Sequence, residues 1–162
     1  MASTVTAASL KVTINENITL NGRQQGGSQI FTIGSIKDIH KRIVTIASGD
    51  DATIAVFKST VAISDGALDK ELVKYIRVTN LDDTNAVNLS LQLDSGEDNS
   101  AADLSVTHLL KAGQSFLMGT VDEAVHADDD GATLITALTD VESILIDPGS
   151  NVGTIELFVA SI

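Results

Sequence analysis

The densest run of potential metal ligands in the sequence is Asp128, Asp129 and Asp130, closed by Gly131 and preceded by His126. Hard cations favour clustered carboxylates with a glycine at the sharp bend, which is the logic of a calcium loop. Setting Gly131 at the sixth loop position places His126 first and Ala137 twelfth, where a bidentate Glu is required, and the match fails. Asp128 and Asp130 are then the candidate ligands of a looser calcium site, against the simpler reading of a solvated acidic loop. No cofactor is expected.

Other chemistry finds little to stand on. The three histidines, His40, His108 and His126, share no metal-ligand spacing, and the chain has no cysteine. Disulfides, thiolate metal sites and cysteine nucleophiles are excluded together. No serine lies in a Gly-x-Ser-x-Gly elbow, and no Ser, His and Asp set stands out. Gly22, Gly26 and Gly27 have the wrong spacing for a phosphate loop, with no helix after them to receive an anion. Two glycosidase-like carboxylates can meet from anywhere in a chain. Sugar sites, however, present aromatic platforms, and this chain has no Trp. The expectation is a protein that is not an enzyme.

Charge narrows the partners. The net charge is −12, unevenly divided: residues 1–81 hold nine Lys/Arg and seven Asp/Glu, whereas residues 82–162 hold one lysine and fifteen acids. Such a chain is repelled by phosphate backbones, and four Phe with one Tyr cannot build a base-stacking platform, so no nucleic-acid partner is expected. The acids cluster between apolar runs, as solvated loops do. The cations Arg23, Lys37, Lys41 and Arg42 gather in one stretch of the first half and are the candidate protein-interface residues. If cations and acids reach different surfaces, copies of the chain attract one another or a neighbour of opposite polarity.

The elements that would carry these residues follow from periodicity. Leu10, Val12 and Ile14 alternate with Lys11, Thr13 and Asn15, and Val87, Leu89, Leu91 and Leu93 alternate with Asn88, Ser90 and Gln92. Period two marks half-buried strands. Further runs rich in Val, Ile, Thr and Phe lie near 17–21, 29–33, 42–47, 53–58, 74–80, 104–110, 114–118, 133–137, 141–146 and 152–160. Ten to twelve short strands at this spacing predict an all-β, antiparallel β-sandwich, jelly-roll-like, with almost no helix. At most, Ile36 to Ile43 forms a short helical turn, with Ile36, Ile39, His40 and Ile43 on one face. Gly22, Gly26 and Gly27 open a loop before Phe31. Asp82-Asp83-Thr84-Asn85 reads as a hairpin turn, Asp94 to Ser100 as an exposed loop, and Lys111-Ala112-Gly113-Gln114 as a tight connection. Residues 1–9 read as a flexible arm and 10–162 as one domain. No secretory signal is legible at the N-terminus, and no apolar run is long enough for a membrane helix, so no membrane partner is expected.

A family resemblance is carried by Lys74-Tyr75-Ile76-Arg77-Val78-Thr79-Asn80-Leu81-Asp82-Asp83-Thr84-Asn85 with Val87 to Leu91, and by His108 to Leu117. The closing Ile155 to Ile162 and the earlier Lys41 to Ile46 fit as well. These runs resemble the small β-sandwich virion structural proteins of tailed bacteriophages, over about residues 41–162. The resemblance implies a non-enzymatic subunit assembled in many copies, a head decoration or cement protein on the outer capsid surface. It implies the major capsid protein or other virion proteins as partners, and a homo-oligomer with a trimer favoured. The alternatives are a neck or tail component, a fibre-attachment domain, and a host-adhesion module binding surface glycans.

Overall fold

Alternation becomes strand in the computed structural model, which describes residues 5–59, 61, 66–93, 104–119 and 140–162. Asp128 and Asp130, the expected strand at 133–137 and the Asp94 to Ser100 loop lie outside the described residues. The described residues form thirteen strands, in order β1 (Ala8–Asn15), β2 (Thr19–Leu20), β3 (Arg23–Gln24), β4 (Ser28–Ile36), β5 (Asp38–Ile46), β6 (Ala52–Lys58) and β7 (Leu68–Asp69). They continue as β8 (Val73–Asn80), β9 (Val87–Leu93), β10 (Leu104–Leu110), β11 (Ser115–Met118), β12 (Val141–Asp147) and β13 (Gly153–Ser161). No helix occurs among the described residues.

Two sheets make the sandwich. One has the order β11-β8-β13-β5, and the other β10-β9-β12-β6 with the short β7 added in parallel on β6. Four antiparallel pairs account for the winding: β5 with β13, β6 with β12, β8 with β11, and β9 with β10. This is a long hairpin rolled into two layers, the jelly-roll arrangement. Its edges differ in length, β5 offering nine residues and β11 four.

Aliphatic side chains from both layers meet between them. Ile155, Leu157 and Val159 of β13 and Val78 of β8 face Leu89 of β9, Ile144 and Ile146 of β12, and Phe57 of β6, all with almost no exposure. Each such side chain contributes about 1.5–3 kcal/mol on burial. Strict alternation is broken where a face must change: Ala160 pairs with Tyr75 and Ser161 with Val73, so Lys74 is the extra residue of a bulge. Val73 can then point into the core while Tyr75 points out of it.

Two local expectations are corrected. Ile36 to Ile43 forms no helical turn; β4 ends at Ile36 and β5 begins at Asp38, so Ile39 and Ile43 face one side of the sheet and His40 the other. The β-branched residues of this stretch favour extended backbone, and pairing with β13 supplies its hydrogen-bond partners. Asp82 to Asn85 is no hairpin turn, because β8 and β9 lie in different sheets. The apolar sides of both strands are buried only if the chain crosses between layers. Lys111 to Gln114 is the tight connection expected, and it too crosses between layers, from β10 to β11.

Candidate functional site

Outside the sandwich stands a second body of structure, the antiparallel pair β1–β4 with the small ribbon β2–β3 at its tip. The loop expected at Gly22 is the turn of this ribbon. Asn21 and Gly22 both take positive φ, 52° and 76°, the requirement of a type I′ turn. Behind the turn, a Cβ on Gly26 would lie 1.9 Å from the Glu16 carbonyl oxygen, so only glycine fits there. The Glu16 N–H donates to the Gly27 carbonyl at 2.8 Å and the Gln25 N–H to Ile18 at 2.9 Å. Gln24 Nε2 donates to Asn17 Oδ1 at 3.0 Å. These bonds hold the tip in shape by itself.

The base of this arm rests on the outer face of the four-stranded sheet. Leu10, Val12, Phe31, Ile33 and Ile36 pack with Tyr75, Phe158, Ala160 and Ile162. Ile33 and Ile36 are three apart, a spacing that strict alternation would send to opposite sides. The register shifts between Ala8 and Leu10, and Ser35 takes φ 61° on the facing strand, so both isoleucines reach the shelf. Tyr75 and Phe158 meet edge to face with centroids 5.9 Å apart, and the Arg77 guanidinium lies 5.8 Å over the Phe158 ring. Burial pushes the Tyr75 phenol above its ordinary pKa, with nearby Arg77 opposing.

Beyond Val12 the apolar pattern of the arm outruns its shelf. Ile18 and Leu20 are 53% and 58% exposed, Ile14 is exposed as well, and Ile30, opposite Thr13 on the other side of the pair, is 54% exposed. A packed domain gains nothing from aliphatic side chains displayed on a projecting ribbon, and such groupings mark contact surfaces.

The four cations singled out in the sequence do not form one patch. Arg23 is exposed on β3 at the tip, and Lys37 is exposed at the junction of β4 and β5. Lys41 lies on the outer face of β5 and pairs with Glu156 at 2.9 Å. Arg42, its neighbour in sequence, points the opposite way and donates to the Ile54 carbonyl across the mouth between the sheets. Glu156 also receives Arg77, so a row Lys41–Glu156–Arg77 crosses three strands, with Thr79 and Ser115 extending it to β11. The hydrogen bond from Lys41, then that from Arg77, hold the Glu156 carboxyl below the usual carboxylate range.

At the end of the sandwich away from the β4–β5 junction, the crossings gather aspartates. Asp50, Asp51 and Asp147 line a shallow cleft with Gly49. Gly49 N–H donates to Gly149 O at 2.7 Å and Leu81 N–H to Thr154 O at 2.8 Å, which ties these turns together. Asp82 Oδ1 accepts from the N–H groups of Thr84 and Asn85 at 2.8 and 2.7 Å. Those backbone bonds, Asn85 first, lower its pKa. Among the described residues no group of three or more His, Asp and Glu side chains is placed to hold a metal ion. His108 sits on β10 opposite Leu89, with its ring 5.8 Å from that of Phe116.

Neither a protein family nor a curated protein matches this sequence. Among solved structures, the chain is similar to one from a study describing Bacillus endospore appendages as a novel family of disulfide-linked pili. The two share 14% identity over 75% of this chain and 84% of that one, with a TM-score of 0.37. A likeness that distant carries no argument about function, and the present chain has no cysteine with which to form a disulfide.

The arm as a unit is what the sequence reading missed. Its signal was there: Asn21-Gly22, preceded by the alternating Ile18 and Leu20, is a strong short-range mark of a hairpin.

Proposed function

We propose that this protein is a non-enzymatic structural subunit of a multi-subunit assembly, in its sharper form a decoration or cement protein on the outer surface of a tailed-phage head. The observation that carries the assembly reading is the β1–β4 arm, a self-locked hairpin that displays Ile14, Ile18, Leu20 and Ile30 away from any core. The sharper form rests on the resemblance of residues 41–162 to phage virion proteins and on the jelly-roll winding. A net charge of −12 favours an outer surface over one facing packaged DNA. Its partners on this reading are the major capsid protein or other virion proteins and further copies of itself, as a trimer. The cations Arg23 and Lys37 stay with the interface, whereas Lys41 and Arg42 have partners within the chain.

Co-sedimentation of the purified chain with procapsid-like shells, together with its sedimentation alone, tests the proposal. Binding to shells or self-association supports assembly; neither overturns it. Probing separated heads and tails for the chain decides location, and presence in tails or neck alone replaces the head reading with the tail one.

A further inference from the structure

We propose that the tip of the arm seats on the aspartate-rich end of a second copy of this chain, in a head-to-tail contact; the inference rests on the assembly reading above. Two kinds of complementarity select that occupant. The first is apolar: Ile18 and Leu20 at the tip are more than half exposed. At the far end of the sandwich, Leu81 and Val152 are 45% and 52% exposed beside the Leu81–Thr154 backbone bond. The second is charge. Arg23 stands on the tip, and Lys11 and Arg23 against Glu16 leave the arm positive. Around Leu81 and Val152 the turns carry Asp50, Asp51, Asp82, Asp83 and Asp147 against one cation among the described residues there, Lys111. Opposite potentials steer two such surfaces together, and the aliphatic contact then excludes water from between them.

The surfaces are different, so the contact is heterologous. Each copy offers one tip and one end, and repetition closes a ring when the rotation per step divides the circle. Within one copy the base of the arm is held at Tyr75, Phe158 and Ala160.

Sedimentation velocity of the full chain at low and high salt, with a circular-dichroism melt beside each run, tests the contact. Wild type is expected to associate as concentration rises, and less so in high salt. A tip variant, Ile18→Asp with Leu20→Asp, and an end variant, Leu81→Asp with Val152→Asp, are each expected to associate about tenfold or more weakly while keeping the wild-type melt. Mixed together, they form a heterodimer that grows no further, since each retains one competent surface. If either variant melts early, charge reversal replaces it. Arg23→Glu alone, or Asp50→Lys with Asp51→Lys alone, weakens association, and the chain carrying all three regains it. An end variant that self-associates like wild type overturns the proposal. So does association that survives both variants and is lost in Ile43→Asp, which moves the interface to the outer face of β5 and leaves the assembly reading standing. A chain that stays monomeric but sediments with shells overturns the contact alone; one that does neither overturns both.

Discussion

Asn80 Nδ2 donates to the backbone carbonyl of Leu110 at 3.1 Å, joining the last residue of β8 to the last residue of β10 across the layers of the sandwich. The same amide donates to Asn85 O at 2.8 Å, and its Oδ1 accepts from the Asp82 N–H at 3.0 Å. Asn80 is fully buried, and its side chain is satisfied at every bond it makes. It fastens two crossings, Leu81 to Ala86 and Lys111 to Gln114, to each other.

Asn80→Leu removes these bonds and strands two carbonyls and an N–H. Leaving buried polar groups unsatisfied costs about 1–3 kcal/mol for each one. The urea midpoint is expected to fall substantially with the denaturant slope unchanged; a midpoint equal to wild type would show that water replaces the amide there.

A carboxylate in the core has no such partner. Leu89 is fully buried between the sheets, and Leu89→Asp is expected to unfold the chain, because an unpaired buried carboxylate costs several kcal/mol, of the order of total stability. Circular dichroism reads the outcome as loss of the strand signal at room temperature.

Acid is expected to destabilise the fold through Asp82 and Glu156. Both carboxyls have pKa values lowered in the folded chain, by backbone hydrogen bonds from Asn85 and Thr84 in one case and by Lys41 and Arg77 in the other. A depressed folded pKa means that the fold prefers the ionised form. The stabilisation is complete above the unfolded value, about 4, and is lost as pH falls through the folded value. Melting temperatures recorded from neutral to acid pH should decline in that window, and Asp82→Asn with Glu156→Gln should flatten the decline. An equal decline in the double variant would assign it to other carboxylates.

The cations separate by role. Charge reversal at Arg23, exposed on the tip, is expected to weaken assembly more at low salt than at high salt while leaving the melt alone. Lys41→Glu sets two carboxylates side by side on the outer face, and Arg42→Glu turns a carboxylate toward the Ile54 carbonyl. Both are expected to lower the melting temperature. Salt-dependent assembly loss without a change in melting at Lys41 or Arg42 would return those residues to the interface.

Much of this was legible in the residues. The alternation of Val87, Leu89, Leu91 and Leu93 fixed a strand and named its buried side, alternation likewise found β1, and runs rich in Val, Ile, Thr and Phe marked β6, β10, β12 and β13. Side-chain period is a local property of backbone geometry, so a local pattern suffices to show it. With four Phe and one Tyr in the chain, the core between the sheets is built mainly from Ile, Leu and Val with Phe57.

Partnership between strands is not local. Asp82 to Asn85 has the composition of a hairpin turn, and only the burial of β8 and β9 from opposite layers shows that it is a crossing. Lys41 and Arg42 are neighbours in sequence and were read together, yet the strand sends one outward to Glu156 and the other inward to Ile54. Nor can a sequence say where an apolar row runs out of cover. Leu10, Val12 and Ile14 read alike, and the shelf of Tyr75 and Phe158 buries the first two partly and leaves Ile14 to solvent. The chain's own residues set which side chains want burial; the packing of one layer on another decided which of them obtain it.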